Sequence, residues 1–231
     1  GNLRFDSPEP PLLPELARRL ERLAAGRPIL LAGSTMAGEE EQVLTAFRRL
    51  AEGERTPGER ALLVVAPRHP ERFAAVAELL AAAHPDFVRR SGTDRERPAV
   101  FLLDSIGELA ATYRLASAAF IGGTLRPTGG HNPIEAARFG VPVAVGLSMT
   151  NFREIAEEFD RNRAWGRVAS GDALGRLWAS WLAEPETARA IGERGRALVT
   201  ANAGALDRTI DLLAPLVAAA RTQQRHDGQE R

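Results

Sequence analysis

The stretch "AAFIGGTLRPTGGHNPIEAARFGVPVAVG", residues 118–146, decides the fold. It opens with a short, unbroken apolar run, "AAFIGG" (118–123). A loop rich in glycine and proline follows, then a helical pattern, "NPIEAARFG" (132–140), closed by Gly140. A second apolar run, "PVAVG" (142–146), comes last. Strand, helix, strand at this spacing reads as one unit of an α/β sheet. Both runs are apolar at every position rather than at alternate ones, as in a parallel strand covered on both faces.

Working outward, the same alternation recurs. "PILLAGS" (28–34), "ALLVVAP" (61–67), "VFLLD" (100–104) and "GRVAS" (166–170) read as further strands. "EEEQVLTAFRRLAE" (39–52), "PERFAAVAELLAAA" (70–83), "GELAATYRLAS" (107–117) and "FREIAEEFDRN" (152–162) read as helices. The expected architecture is a doubly wound, Rossmann-like α/β domain with a parallel sheet. Residues 1–27 divide into an extended start and one helix ended by Gly26. The sheet domain spans 28–171. From 172 to 220 the pattern is helical, including "ALDRTIDLLAPLVAAAR" (205–221), and 221–231 is a polar, flexible tail. Trp178 and Trp181, three apart on one helix face, read as core. The charged, Gly- and Pro-containing stretches 52–60 and 89–99 read as loops.

Composition narrows the function classes. The 231 residues carry 30 Lys plus Arg against 30 Asp plus Glu, which gives no bulk reason to expect nucleic acid. There is no cysteine, so disulfides, thiolate metal sites and a cysteine nucleophile are excluded. No apolar run approaches the about 20 residues that a membrane-spanning helix needs.

In an open parallel sheet, ligands bind beyond the carboxyl ends of the strands. Five polar segments fall there. "GSTMAGEE" (33–40) brings Ser34 and Thr35, which either cap the next helix or expose amides to a phosphate; capping is preferred for this segment alone. "PRHPER" (67–72) brings Pro67, Arg68 and His69. Arg68 offers a fork of donors to a phosphate, or pairs with Glu71 or Glu108. In "DSIGEL" (104–109) Asp104 reads as a helix cap, whereas the backbone of Ile106, Gly107 and Glu108 is suited to reading a flat base edge. In "GGHNPIE" (129–135) Asn132 is an N-cap, Pro133 the first helical residue and Glu135 the partner of a capping box. Gly129 and Gly130 are not needed for a cap, and can expose consecutive amides or admit a ligand closely. Glu135 can instead accept from two neighbouring ribose hydroxyls. Asn151, in "SMTNFREI" (148–155), either caps the following helix or touches a bound sugar. Five separated segments converging on one edge favour a ligand site.

With these residues assembled, the chain resembles the C-terminal half of the 3-deoxy-D-manno-octulosonic acid (Kdo) transferases, enzymes of GT-B fold. The resemblance runs in order through "GNLRFD" (1–6), "AGSTMAGEEEQVL" (32–44), "PRHPERF" (67–73), "DSIGEL" (104–109), the stretch 120–146 and "NFREI" (151–155). It implies a nucleotide-sugar donor, CMP-Kdo, and Kdo transfer to a lipid A precursor. It implies Pro67 and Arg68 at CMP, Ile106, Gly107 and Glu108 beside the nucleotide, and Asn132, Pro133, Ile134 and Glu135 as the other wall. His69, His131, Gly129, Gly130, Ser34, Thr35 and Asn151 are lesser candidates. Arg4 matches a transition-state-stabilising position. No metal or other cofactor is implied.

Two departures stand out. The family usually has His-Glu after "GST", where Met36 and Ala37 stand, and Lys where Arg4 stands. The resemblance also implies an N-terminal half, outside this chain, that carries the catalytic base, the acceptor site and the contact with the cytoplasmic face of the bacterial inner membrane. The expectation is therefore a soluble donor-binding fragment, inactive alone. A UDP-sugar transferase domain and a non-catalytic nucleotide-binding module are the alternative readings. When CMP is bound the Glu135 carboxylate is expected to face the ribose, and to return to the capping box when the site is empty.

Overall fold

The computed structural model describes residues 3–6, 8–51 and 56–204, together with 210 and 213. The unit that decided the fold is present: β5 (Ala118–Ile121) runs into the Gly-rich loop, α6 (Ile134–Ala137) and β6 (Val143–Val145), and β5 and β6 pair in parallel. Before it come α1 (Pro14–Ala24), β1 (Ile29–Thr35), α2 (Glu40–Arg48), α3 (Pro57–Arg60), β2 (Leu62–Pro67), α4 (Phe73–Ala83), β3 (Val88–Arg89), β4 (Val100–Leu102) and α5 (Leu109–Thr112). After it come α7 (Arg153–Arg161), β7 (Gly166–Arg167), α8 (Gly171–Ala183) and α9 (Pro185–Asn202).

Among the described residues seven strands form one sheet, in the order β3-β4-β2-β1-β5-β6-β7, and every pairing is parallel. The chain leaves β1 toward β2 on one side and returns to β5 on the other. The switch point therefore lies between β1 and β5, where Leu30 pairs Ala118 and Gly33 pairs Ile121. A parallel sheet opens a crevice beyond its carboxyl ends at such a point.

The continuous apolar runs are explained by two cores, one on each face. Leu30, Ala32, Leu63 and Val65 point to the side of α2 and α8, with Phe47, Trp178 and Trp181. Leu31, Val64, Phe101 and Ile121 point to the other side, with Leu16 and Leu20 of α1 and Phe159 of α7. Trp178 and Trp181 are buried, as read from their spacing. Each fully buried side chain of this size contributes about 1.5–3 kcal/mol.

Several boundaries differ from the sequence reading. β3, with two residues, carries too little apolar pattern to be seen: Val88 falls between the helix read over 70–83 and the loop read over 89–99, and Arg89 inside that loop. Pro57–Arg60 is a short helix inside a stretch read as loop, and Glu52 to Arg55 of that stretch lie outside the described residues. The helix read over 107–117 is a single α-turn followed by the 3-10 turn Tyr113–Leu115, because Gly107 has φ +87° and Glu108 is the residue before the first helical one. The helix read over 132–140 is likewise shortened to α6. The helix read over 205–221 and the tail to 231 lie, except for Ile210 and Leu213, outside the described residues, as do Gly1 and Asn2.

Candidate functional site

The five segments do converge. A cleft of about 320 Å³ at the strand ends is lined by Ser34 near the end of β1, Arg68 after β2, Gly107 before α5, His131, Asn132 and Glu135 around α6, and Phe152 before α7. Local chemistry explains how they meet. β1 bulges at its end, with Ser34 at φ +55°, and the Arg68 amide donates to Thr35 O at 3.0 Å. Gly33 has no room for a side chain, since a Cβ would lie 2.0 Å from the Tyr113 hydroxyl. Gly107, at positive φ, faces open space.

The cleft's electrostatics rest on three groups. Arg68 is exposed and makes no ion pair among the described residues. Glu135 is partly buried, and that burial raises its carboxyl above the ordinary range against the weaker pull of Asn132, Arg138 and Arg68. Burial lowers the His131 imidazole, helped by the positive charge of Arg68 and His69, and its Nε2 is buried without a hydrogen-bond partner. Behind them Tyr113 is fully buried. That burial, reinforced by the charge on Glu135, holds its phenol well above the usual value. An unpaired guanidinium thus faces a carboxyl that desolvation leaves under-stabilised, the pairing expected for an anion beside hydroxyl groups.

Other candidates take structural work. Thr35 is wholly buried and its hydroxyl donates to the Glu40 side chain at 2.7 Å, so it does not cap α2. Pro67 is buried opposite Thr35 in the strand register. Asp104 does not cap α5: it accepts from the Ser91 amide at 3.0 Å and from Arg89 Nε at 2.9 Å, tying down the loop after β3. The Glu108 carboxylate is held by Arg90 at 2.9 Å and by Ser105; these bonds outweigh the upward push of burial and keep its pKa low. Ile106 is 70% exposed and lines a neighbouring hollow with Leu12 and Leu13. His69 lies 3.8 Å from Glu71 at the surface.

The glycine pair is corrected most. Gly129 and Gly130 have φ +89° and +79°, but their amides are not open to a ligand: Gly129 donates to Ser148 Oγ at 3.0 Å and Gly130 to Gly123 O at 2.7 Å. Besides its positive φ, Gly129 has Asn151 packed on it, where a Cβ would lie 2.5 Å from the side-chain amide nitrogen, and a Cβ on Gly130 would lie 2.7 Å from Met149 Sδ. Asn151 in turn does not cap α7. Its Nδ2 donates to Thr128 O and Gly130 O, both at 3.3 Å. The capping box is also not formed. Asn132 Oδ1 accepts the Ile134 amide at 3.1 Å and its Nδ2 donates to Glu135 Oε1 at 3.4 Å, while Pro133 and Ile134 are buried. Glu135 therefore rests on a side-chain amide, not on a backbone N–H.

Arg4 comes to the rim. Its Nη1 donates to Asn151 O at 2.8 Å and its guanidinium lies 4.4 Å from the Phe152 ring centroid, so Phe152 separates Arg4 from the Arg68 cleft. Phe152, Tyr113, Glu39 and Glu40 were not singled out in the sequence. Glu39 and Glu40 are each at most 1% exposed, whereas acids opening a helix read simply as complements to its dipole.

No protein-family model matches the chain. The 3-deoxy-D-manno-octulosonic acid transferase of Haemophilus influenzae is 38% identical over 93% of this chain and 50% of the relative's length. That of Bordetella pertussis is 37% identical over 92% and 50%. The chain thus spans about half the length of these curated relatives. Among solved structures, the C-terminal CMP-Kdo binding domain of WaaA from Acinetobacter baumannii superposes with a TM-score of 0.71 at 32% identity, covering 80% of this chain and 96% of that one. With the all-parallel sheet and the cleft at its switch point, these similarities show that the chain belongs to the 3-deoxy-D-manno-octulosonic acid transferase family, as the C-terminal α/β half of a GT-B fold.

Proposed function

We propose that this chain is the donor-binding domain of a Kdo transferase and that its cleft takes the CMP moiety of CMP-Kdo. The observation that carries the reading is the unpaired Arg68 guanidinium sharing one cleft with the partly buried Glu135 at the β1/β5 switch point. Arg68 holds the phosphate. Glu135 exchanges its long bond to Asn132 for two ribose hydroxyls. The backbone of Ile106–Glu108 borders the base, and residues 1–27 lead in from the other half of the enzyme.

In the intact protein an acceptor hydroxyl of a lipid A precursor attacks the anomeric carbon of Kdo. The bond to the CMP phosphate breaks as the new glycosidic bond forms, with inversion, and the hydroxyl proton passes to a base on the other half. Arg4 stabilises the charge on the departing phosphate, the kind of electrostatic help that matters most in such a step. No metal takes part in this reading. The acceptor is presented at the cytoplasmic face of the inner membrane by the other half.

Titration calorimetry tests the reading. CMP is expected to bind, UDP more weakly, and Arg68→Ala or Glu135→Ala to lower CMP affinity about tenfold or more, the worth of one charge-assisted hydrogen bond. A folded sample that takes up no CMP overturns it, and tighter binding of UDP turns the reading to a UDP-sugar donor.

A further inference from the structure

Glu39 stands outside the cleft and has no part in the chemistry above, yet its carboxylate is among the most engaged groups in the chain. It is 0% exposed. Oε2 accepts the Met36 amide at 2.9 Å and the Gly123 amide at 2.6 Å. Oε1 accepts the Thr124 and Leu125 amides, each at 2.9 Å. Three consecutive backbone N–H groups converging on one point make an anion nest, a geometry that elsewhere holds phosphate. Here the protein fills it with its own carboxylate.

What hangs from that nest is one wall of the cleft. Gly130 donates to Gly123 O at 2.7 Å and His131 to Gly122 O at 3.2 Å, so the backbone that Glu39 grips fixes where His131, Asn132 and Glu135 begin. The next residue does the same for the opposite wall. Glu40 takes Arg72 in a two-pronged pair at 2.7 and 2.8 Å and accepts from Thr35, whose carbonyl receives the Arg68 amide.

We propose that Glu39 is a positioning residue of the donor site: by filling the amide nest after β5 it sets the His131–Glu135 wall against the Arg68 wall and leaves the donor phosphate to Arg68. The inference rests on the donor-binding reading for its functional consequence, but the filled nest can be tested without it.

The test uses Glu39→Ala and Glu39→Gln with CMP titrations, each with and without added formate. Glu39→Ala empties the nest, and a CMP affinity reduced about tenfold or more is expected. Formate, a small carboxylate, is expected to enter the vacated nest and restore part of that loss. A residue that served stability alone would lower the urea midpoint of Glu39→Ala and leave the CMP affinity of the folded variant unchanged. Glu39→Gln turns an amide donor toward amide donors, so weaker binding that formate does not mend is expected. Folded variants that bind CMP like the wild type, or a Glu39→Ala loss untouched by formate, overturn the proposal. Should Glu39→Ala not fold, Glu39→Gln and hydrogen exchange on the unchanged chain decide. The Gly123, Thr124 and Leu125 amides are expected to exchange slowly before any nucleotide is added, and fast exchange there overturns the inference. If the unchanged chain takes up no CMP while these amides are protected, the donor reading fails and the filled nest stands.

Discussion

The Asn132 side-chain amide reaches Glu135 Oε1 across 3.4 Å, a long bond for a carboxylate taken partly out of water. The compensation is incomplete, and burial leaves the Glu135 carboxyl with a raised pKa. This has a measurable sign. An acid whose folded pKa lies above its unfolded one contributes stability that is fully present below the unfolded value and lost as pH rises through the folded one. Glu135→Gln, which cannot ionise, is therefore expected to be more stable than the wild type near neutral pH. The gap should close as the medium is made acid. Urea unfolding at several pH values, followed by tryptophan fluorescence, checks this; a gap that does not change with pH refutes it.

The Arg72–Glu40 pair predicts a stability loss of a different kind. The Glu40 side chain is 1% exposed and that of Arg72 23%. Removing the guanidinium strands a buried carboxylate, which costs about 3 kcal/mol. Arg72→Ala is expected to lower the urea midpoint accordingly.

Two glycines should respond unequally to alanine. A Cβ on Gly192 in α9 would lie 1.8 Å from the carbonyl oxygen of Gly140, backbone that cannot step aside. Gly192→Ala should cost about 3 kcal/mol by prising α9 from the end of α6. Gly107→Ala meets nothing within 4 Å and carries only the strain of φ +87°, about 1 kcal/mol. Thermal unfolding of the two variants side by side tests the ranking.

Asn151 offers a chemical test of the glycine loop. Asn151→Ala removes two donors to Thr128 O and Gly130 O and is expected to cost about 1–2 kcal/mol. Asn151→Asp sets a carboxylate oxygen against those carbonyls and should cost more. Equal stability of the two variants would show that the side-chain amide does not hold the loop.

The legible parts of this protein are those in which one residue type has one physical consequence. Runs such as "ALLVVAP" can be buried only as strands covered on both faces, and their regular interruption by helices gives a parallel α/β sheet. Gly26, at φ +80°, lies just past α1, whose left-handed cap is Ala25, and Gly140, at φ +71°, stands three residues past the end of α6. Arg68 and Glu135 were found from their place after a strand, because the carboxyl ends of parallel strands share one edge. The illegible parts are those where a polar group chooses among partners distant in sequence. Asp104 could cap the next helix or hold Arg89; Glu39 could face solvent or an amide 84 or more residues away; the Gly129 amide could meet a ligand or Ser148.

The sequence by itself determined the sheet, its parallel sense, the helical C-terminal pattern and the edge at which polar groups gather. The tertiary structure decided which of those groups remain available. A carboxylate or an amide bonds to whatever donor or acceptor the fold brings within about 3 Å, and that proximity is set by the packing of whole elements. Hence Glu39, Glu40 and Asn151 are engaged in holding the backbone around the cleft and Asp104 in holding the loop after β3, while Arg68 is left in the cleft with Glu135.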